Sequence, residues 1–263
     1  MCRVKLMGCF LLTVTATIIL GSASAEETRI DVRVISKGAK FVGTSMGGAE
    51  IVIADADTGR LLAQGKTAGS TGDTERIMRE RLPHHAAVST EDAAVFQAEV
   101  DLEEPRRVKV TARGPLAQPQ AINTVSVTQW VVPGRHITGG DAMTLELPGF
   151  VVDVLSPPAH QKISDLGDAV DVSVEANVTM MCGCPIEPGG LWDANQFMVS
   201  AIVKRNGEKV DEVPLRFAGS TSRFTASLSV REPGSYEITV YAFDPTNGNT
   251  GVDKTTFIVV SDR

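Results

Sequence analysis

The sequence predicts an all-β protein: two tandem antiparallel β-sandwich domains behind a cleaved signal peptide. Three observations predict it. Apolar and polar residues alternate with a period of two through most of the chain, the pattern of strands with one buried face. Asp, Asn, Gly and Pro punctuate these runs at short intervals, with 24 glycines and 13 prolines to draw on. A helical signature is confined to one segment, residues 75–81. At roughly 100–200 residues per domain, 263 residues leave room for two such units.

Residues 1–25 have the plan of a secretory signal peptide. Arg3 and Lys5 form a basic start, Leu6 to Leu20 is almost wholly apolar, and Ala23-Ser24-Ala25 is an A-x-A cleavage site. About 15 apolar residues fall short of the roughly 20 that span a bilayer. Leu6-Met7-Gly8-Cys9 has the outline of a lipoprotein box but lacks the apolar stretch that should precede Cys9. Cleavage removes Arg3, Lys5, Cys2 and Cys9, so the net charge moves from −7 to about −9 over 238 residues. A periplasmic or secreted protein follows, with Cys182 and Cys184 in an oxidising compartment. The acidic balance argues against nucleic acid, which needs clustered Lys and Arg. Disorder is argued against by 22% charged residues amid ample Val, Ile and Leu.

The first domain is expected over residues 26–156. Ile30, Val32 and Val34 alternate with polar residues, as do Val108, Val110 and Ala112, then Val125 and Val127. Ala49–Ala54 is a more buried run, Asp55-Ala56-Asp57-Thr58-Gly59 a tight turn, and Leu61-Leu62-Ala63 the return. Asp73-Thr74 cap a helical insertion over Glu75–Arg81 that ends before Pro83. Thr90–Ala94 adds a further turn. Ser156-Pro157-Pro158 is the expected boundary, because neither proline can donate to a ladder. The second domain, residues 157–263, shows about seven strands. Among them are the alternating run Val170–Val178, then Phe197–Lys204, followed by an Asn206-Gly207 turn, Val210–Phe217, Phe224–Val230, Tyr236–Phe243 and Thr255–Val260.

Residues 49–67, A-E-I-V-I-A-D-A-D-T-G-R-L-L-A-Q-G-K-T, resemble the A-x-V-x-V-x-D-x-x-T-G signature of transthyretin-like and carboxypeptidase regulatory-like modules. Phe96–Val100 and Arg107–Thr111 suit that fold's later strands, while residues 69–90 depart from it. The resemblance implies a non-catalytic appendage or binding platform. Pro233-Gly234-Ser235-Tyr236 leading into a strand resembles the tyrosine corner of immunoglobulin-like sandwiches. Ile238 stands where antibody domains carry a cysteine, so the likeness is to cysteine-free bacterial or fibronectin-type sandwiches.

Chemistry concentrates in Met180-Met181-Cys182-Gly183-Cys184-Pro185, followed by Glu187 and Trp192. Two thiols and two thioethers within five residues are soft donors suited to Cu(I), with Met180, Met181, Cys182 and Cys184 as ligands. Zinc is disfavoured for want of a histidine. A Cys182–Cys184 disulfide needs a bend at Gly183 and closes so small a loop that it stabilises by only about 1.6 kcal/mol. Structural loop, copper ligand, thiol redox pair and partner contact all remain open. His84-His85 with His136 could offer imidazoles, though adjacent histidines point apart; His160 stands alone. Gly43-Thr44-Ser45-Met46-Gly47 matches the nucleophile-elbow string G-x-S-x-G but lies in an all-β pattern, not between strand and helix. The oxygen-rich Asp244–Gly251 loop lacks EF-hand spacing and reads as a turn. No catalytic constellation stands out. The leading expectation is a non-catalytic binding or accessory protein of a periplasmic or cell-surface assembly. Copper binding or delivery is the alternative, and thiol–disulfide or sulfur transfer the third.

Overall fold

The computed structural model describes residues 25–165 and 169–261, so residues 1–24 of the expected leader lie outside it. The protein is all-β. Its first sandwich comprises β1 (Glu26–Ser36), β2 (Glu50–Asp55), β3 (Leu61–Lys66), β4 (Phe96–Leu102), β5 (Arg106–Gly114), β6 (Asn123–Val131) and β7 (Met143–Leu147). One sheet runs β4-β1-β7 and faces the other, β3-β2-β5-β6. β1 is antiparallel to β4 but parallel to β7, from Val32 opposite Met143 to Ser36 opposite Leu147. The alternation at Ile30, Val32 and Val34 aims these side chains inward, where all three are completely buried beside Ile51, Ile53, Val108 and Val110. The Asp55 turn forms as expected. Its Oδ1 accepts the amides of Asp57 and Thr58, each at 2.9 Å. Those bonds, the Thr58 amide foremost, hold the carboxyl below its ordinary range.

Two expectations for this sandwich need correcting. The helix is a single turn, α1 (Thr74–Met78), with Asp73 accepting from the Arg76 amide. None of its residues is buried, so nothing extends it to Arg81. On β6 the alternation is present without the burial: Val127 is 38% exposed and only Val131 is buried.

The second sandwich holds β8 (Phe150–Ser156), β9 (Gln161–Asp165), β10 (Val170–Met180), β11 (Met198–Arg205), β12 (Glu208–Pro214), β13 (Arg216–Phe217), β14 (Arg223–Val230), β15 (Gly234–Phe243) and β16 (Thr250–Ser261). Its sheets run β13-β14-β10-β8 and β12-β11-β15-β16-β9. That order corresponds to strands D-E-B-A and C′-C-F-G of an immunoglobulin-type sandwich, with β9 parallel to the last strand. Tyr236 on β15 donates its hydroxyl to the Glu232 carbonyl at 2.8 Å, so the tyrosine corner is made.

The expected boundary at Ser156-Pro157 falls inside this sandwich. β8 pairs with β10, and Phe150 and Val152 belong to the second core. The strand pairing therefore changes sandwich at Pro148-Gly149, after Leu147 of the first core, and β8 straddles the seam, with Phe150 and Val152 in the second core and Val151 in the first. The expected strand Val210–Phe217 is also divided. β12 ends at Pro214, buried Leu215 donates its amide to the Val199 carbonyl, and β13 joins the opposite sheet.

Candidate functional site

The Met-Cys loop follows β10 directly and turns back at once. Gly183 donates its amide to the Met180 carbonyl at 2.8 Å, and Met180 donates to Cys184 at 3.1 Å. Gly183 has φ +76°, in the left-handed region that favours glycine. The bend brings the Cα atoms of Cys182 and Cys184 to 5.4 Å, within the usual disulfide span, and the two cysteines are bonded. The next turn is shaped by Asp193. Its Oδ1 accepts the amides of Gly189 at 2.9 Å and Asn195 at 3.0 Å. These bonds, from Asn195 first, lower its carboxyl from the ordinary value.

The loop closes the end of the second sandwich, yet it is not a free surface. Cys182 is 1% exposed and Cys184 4%, and both join the second core with Met180. Met181 points the other way and is completely buried in the core of the first sandwich. Adjacent residues of one strand end thus fill two different cores. Met46 meets them from the first sandwich: a Cβ added at Gly183 would lie 2.7 Å from its Sδ.

Polar contacts flank this sulfur-rich seam. The Trp192 indole donates to the Gly38 carbonyl at 3.0 Å, while Ala39, on the same turn as Gly38, packs into the second core. Asn249, 1% exposed, donates Nδ2 to the Lys37 carbonyl at 3.0 Å, and its Oδ1 accepts the Gly149 amide at 3.1 Å. Lys37 donates Nζ to the Asn247 carbonyl at 2.9 Å. On the far side Gln120 donates to the Val152 carbonyl at 3.2 Å. The Asp244–Gly251 loop is accounted for by these bonds together with its own turn. Asp244 accepts from the Thr246 amide and hydroxyl and from Asn247 Nδ2, which occupies both carboxylate oxygens.

Other candidate residues do not converge. His84, His85, His136 and His160 are all exposed, and His136 Nδ1 accepts the Arg29 amide at 3.1 Å. Among the described residues no group of three or more His, Cys, Asp and Glu is placed to hold a metal ion. In the G-x-S-x-G string, Thr44–Met46 is a 3-10 turn with Ser45 exposed and Gly47 at φ +80°. Its structural contribution is Met46, whose carbonyl accepts the Ala117 amide at 3.0 Å. Sequence reasoning missed Met46, Gly38, Ala39 and Asn249. Their local patterns say turn, and nothing local says which turn meets which.

In this disulfide form the sulfur atoms at the loop are the thioethers of Met180 and Met181, with Met46 packed against Gly183, and a bonded cysteine pair. Thiolates, the strong soft ligands, arise only on reduction. Nucleophilic attack on either cysteine requires access that 1% and 4% exposure do not offer.

No family model matches the chain, and no curated protein matches it. Among solved structures it is similar to fibronectin(III)-like modules of Clostridium thermocellum CbhA, at 12% identity over 89% of this chain and 94% of theirs, TM-score 0.30. It is similar to a chimeric titin Z1Z2 at 10% identity over 91% of this chain and 98% of that one, TM-score 0.25. An engineered protein aligns at 19% identity over 49% of this chain with TM-score 0.32, and the chain spans only 24% of it. Superpositions this loose carry no argument; the architecture rests on the strand pairing itself. Among the described residues no helix is long and apolar enough to cross a membrane.

Proposed function

We propose that the chain is an exported, non-catalytic binding or accessory protein of a periplasmic or cell-surface assembly, in which the Met-Cys loop is the joint between two sandwiches. One observation carries this reading. The residues richest in chemistry, Met180 to Cys184, are spent on packing: they are buried at the seam and divided between two cores. The basic and apolar leader at residues 1–25 supports export, and a disulfide suits the oxidising compartment beyond it. The resemblance of residues 49–67 to transthyretin-like modules supports a platform role for the first sandwich. Its partner is then another envelope protein, met through exposed loops or edges.

Joint and metal site separate experimentally. As a joint, the wild-type chain unfolds in one transition followed by two probes, one per sandwich. Replacing both Cys182 and Cys184 by serine makes the two probes diverge while partner binding survives. Copper delivery is the second reading, with Met180, Met181, Cys182 and Cys184 as the soft donors once the pair is reduced; Met46, packed against Gly183, adds a further thioether to that neighbourhood. It requires the reduced wild-type chain to retain stoichiometric Cu(I) against a chelator and the double serine variant to lose it. That outcome, with coincident unfolding in both proteins, would replace the joint by the metal site.

A further inference from the structure

β6 is the outer strand of the larger sheet in the first sandwich and, among the described residues, pairs only with β5. Its other side presents a row of backbone donors and acceptors outside any ladder. The opposite edge of that sheet, β3, is turned toward β4: a Cβ at Gly65 would lie 2.2 Å from the Phe96 ring. β6 also lies against its neighbour β7 in the facing sheet, but among the described residues no strand pairs with its outer edge, and all its residues except Val125 and Val131 are exposed. Register places Val125 opposite Ala112 and Val127 opposite Val110, both completely buried, so these valines face the core side. The facing sheet has three strands against four, and Val127 stays 38% exposed. On the outer side Trp130 is 64% exposed, and Val132 just beyond the strand is 44% exposed.

Edge strands are ordinarily guarded by charge or proline. β12, one edge strand of the second sandwich, carries Glu208, Lys209, Asp211, Glu212 and Pro214. β6 carries none of these. No charged residue occurs from Gly114 to Gly134, a run of 21 residues in a chain of net charge −7. The chain thus guards the β12 edge and leaves the β6 edge without charge or proline.

We propose that β6 is a self-association edge whose occupant is the β6 strand of a second copy. The pairing is antiparallel about a two-fold axis near Val127. Charge selects this partner. Two acidic copies repel except where both surfaces are neutral, and this strand meets itself without a single like-charge contact. A dyad at Val127 sets Val127 against its equivalent and Val125 against Gln129 on the core side. On the outer side it sets Ser126 against Thr128 and Thr124 against Trp130, a β-branched–aromatic pair of the kind that stabilises adjacent strands. The two four-stranded sheets then continue into one of eight strands. Each copy's bare edge is consumed, so the assembly closes as a dimer and does not propagate into a filament.

Sedimentation velocity of the exported chain up to about 200 μM tests this, with dimerisation expected to strengthen toward the top of that range. Val127→Lys is expected to weaken the dimer at least about tenfold while the monomer remains folded by circular dichroism. Val127→Cys is expected to cross-link copies through the dyad under mild oxidation, whereas Val210→Cys on guarded β12 is not. A wild-type chain that stays monomeric throughout overturns the proposal. So does a dimer that persists in a folded Val127→Lys variant, or one that Val127→Cys fails to cross-link. If Val127→Lys does not fold, the cross-linking result decides, since cysteine is close to valine in size.

Discussion

Replacing Gly183 by alanine loads the seam between the sandwiches at a single point. The backbone there has φ +76°, where a Cβ costs about 1–2 kcal/mol. The new methyl would also sit 2.7 Å from Met46 Sδ, well inside the roughly 3.5–4.0 Å of favourable contact. Met46 is 8% exposed and has little space to retreat, so overpacking adds about 1–3 kcal/mol. Gly183→Ala is therefore expected to destabilise by about 2–5 kcal/mol in total. Met46→Ala alone empties a buried site and costs about 2–5 kcal/mol. In the double variant the truncated side chain leaves room for the methyl. The backbone cost then remains and the overpacking disappears, so the double falls short of the sum by about 1–3 kcal/mol. Denaturant unfolding of the four proteins measures the cycle. Additivity within about 0.5 kcal/mol would mean that Met46 and Gly183 do not touch across the seam, and the joint as described would be wrong.

Other residues give further checks. Tyr236→Phe deletes the bond to the Glu232 carbonyl and should cost about 1 kcal/mol in denaturant unfolding, with the fold retained by near-ultraviolet circular dichroism. Trp192→Phe keeps most of the ring burial but loses the indole bond to Gly38 across the seam. It should cost about 1 kcal/mol, and a probe in the first sandwich should register the change as clearly as one in the second. Burial pushes the Asp153 carboxyl above its ordinary value of 3.8; nearby Asp253 adds to this and Arg223 offsets part of it. Since the folded form favours the proton, its contribution is fully present below the unfolded pKa and is lost as pH rises through the folded one. Asp153→Asn should therefore be more stable than wild type at pH 7, with the gap closing as pH falls below the carboxylate range. A gap that widened toward acid would contradict the burial argument.

The strands were legible because their information is local. A period of two at Ile30–Val34 or Val170–Val178 states both the strand and its buried face, and the Pro-Gly-Ser-Tyr run marks the corner at Tyr236. Partnership across sequence was not legible. Ser156-Pro157-Pro158 interrupts strand pairing strongly, but Phe150–Ser156 is equally apolar whichever sandwich it joins, so only the ladder to β10 shows the seam. For the Met-Cys loop, the sequence located the unusual sulfur chemistry and offered an end loop as a recognition surface. Its burial depends on Met46, some 135 residues earlier, which carries no local mark of that contact. β6 failed in a different way. Alternation at Val125 and Val127 reports which side a residue faces and cannot report whether anything covers that side.

The parallel pairs β1–β7 and β9–β16 bear on how the chain answers tension. In each sandwich the earlier strand lies beside the later one in the same direction, over Val32–Ser36 with Met143–Leu147 and over Gln161–Asp165 with Phe257–Ser261. A pull on the two ends of either unit draws such neighbours past each other lengthwise. Their bonds then share the load and must break together, whereas a hairpin pulled at its open end unzips one bond at a time. With only Pro148-Gly149 between the two strands, force passes from β7 into β8 without a slack segment to absorb it. The chain is laid out as two shear-loaded elements in series.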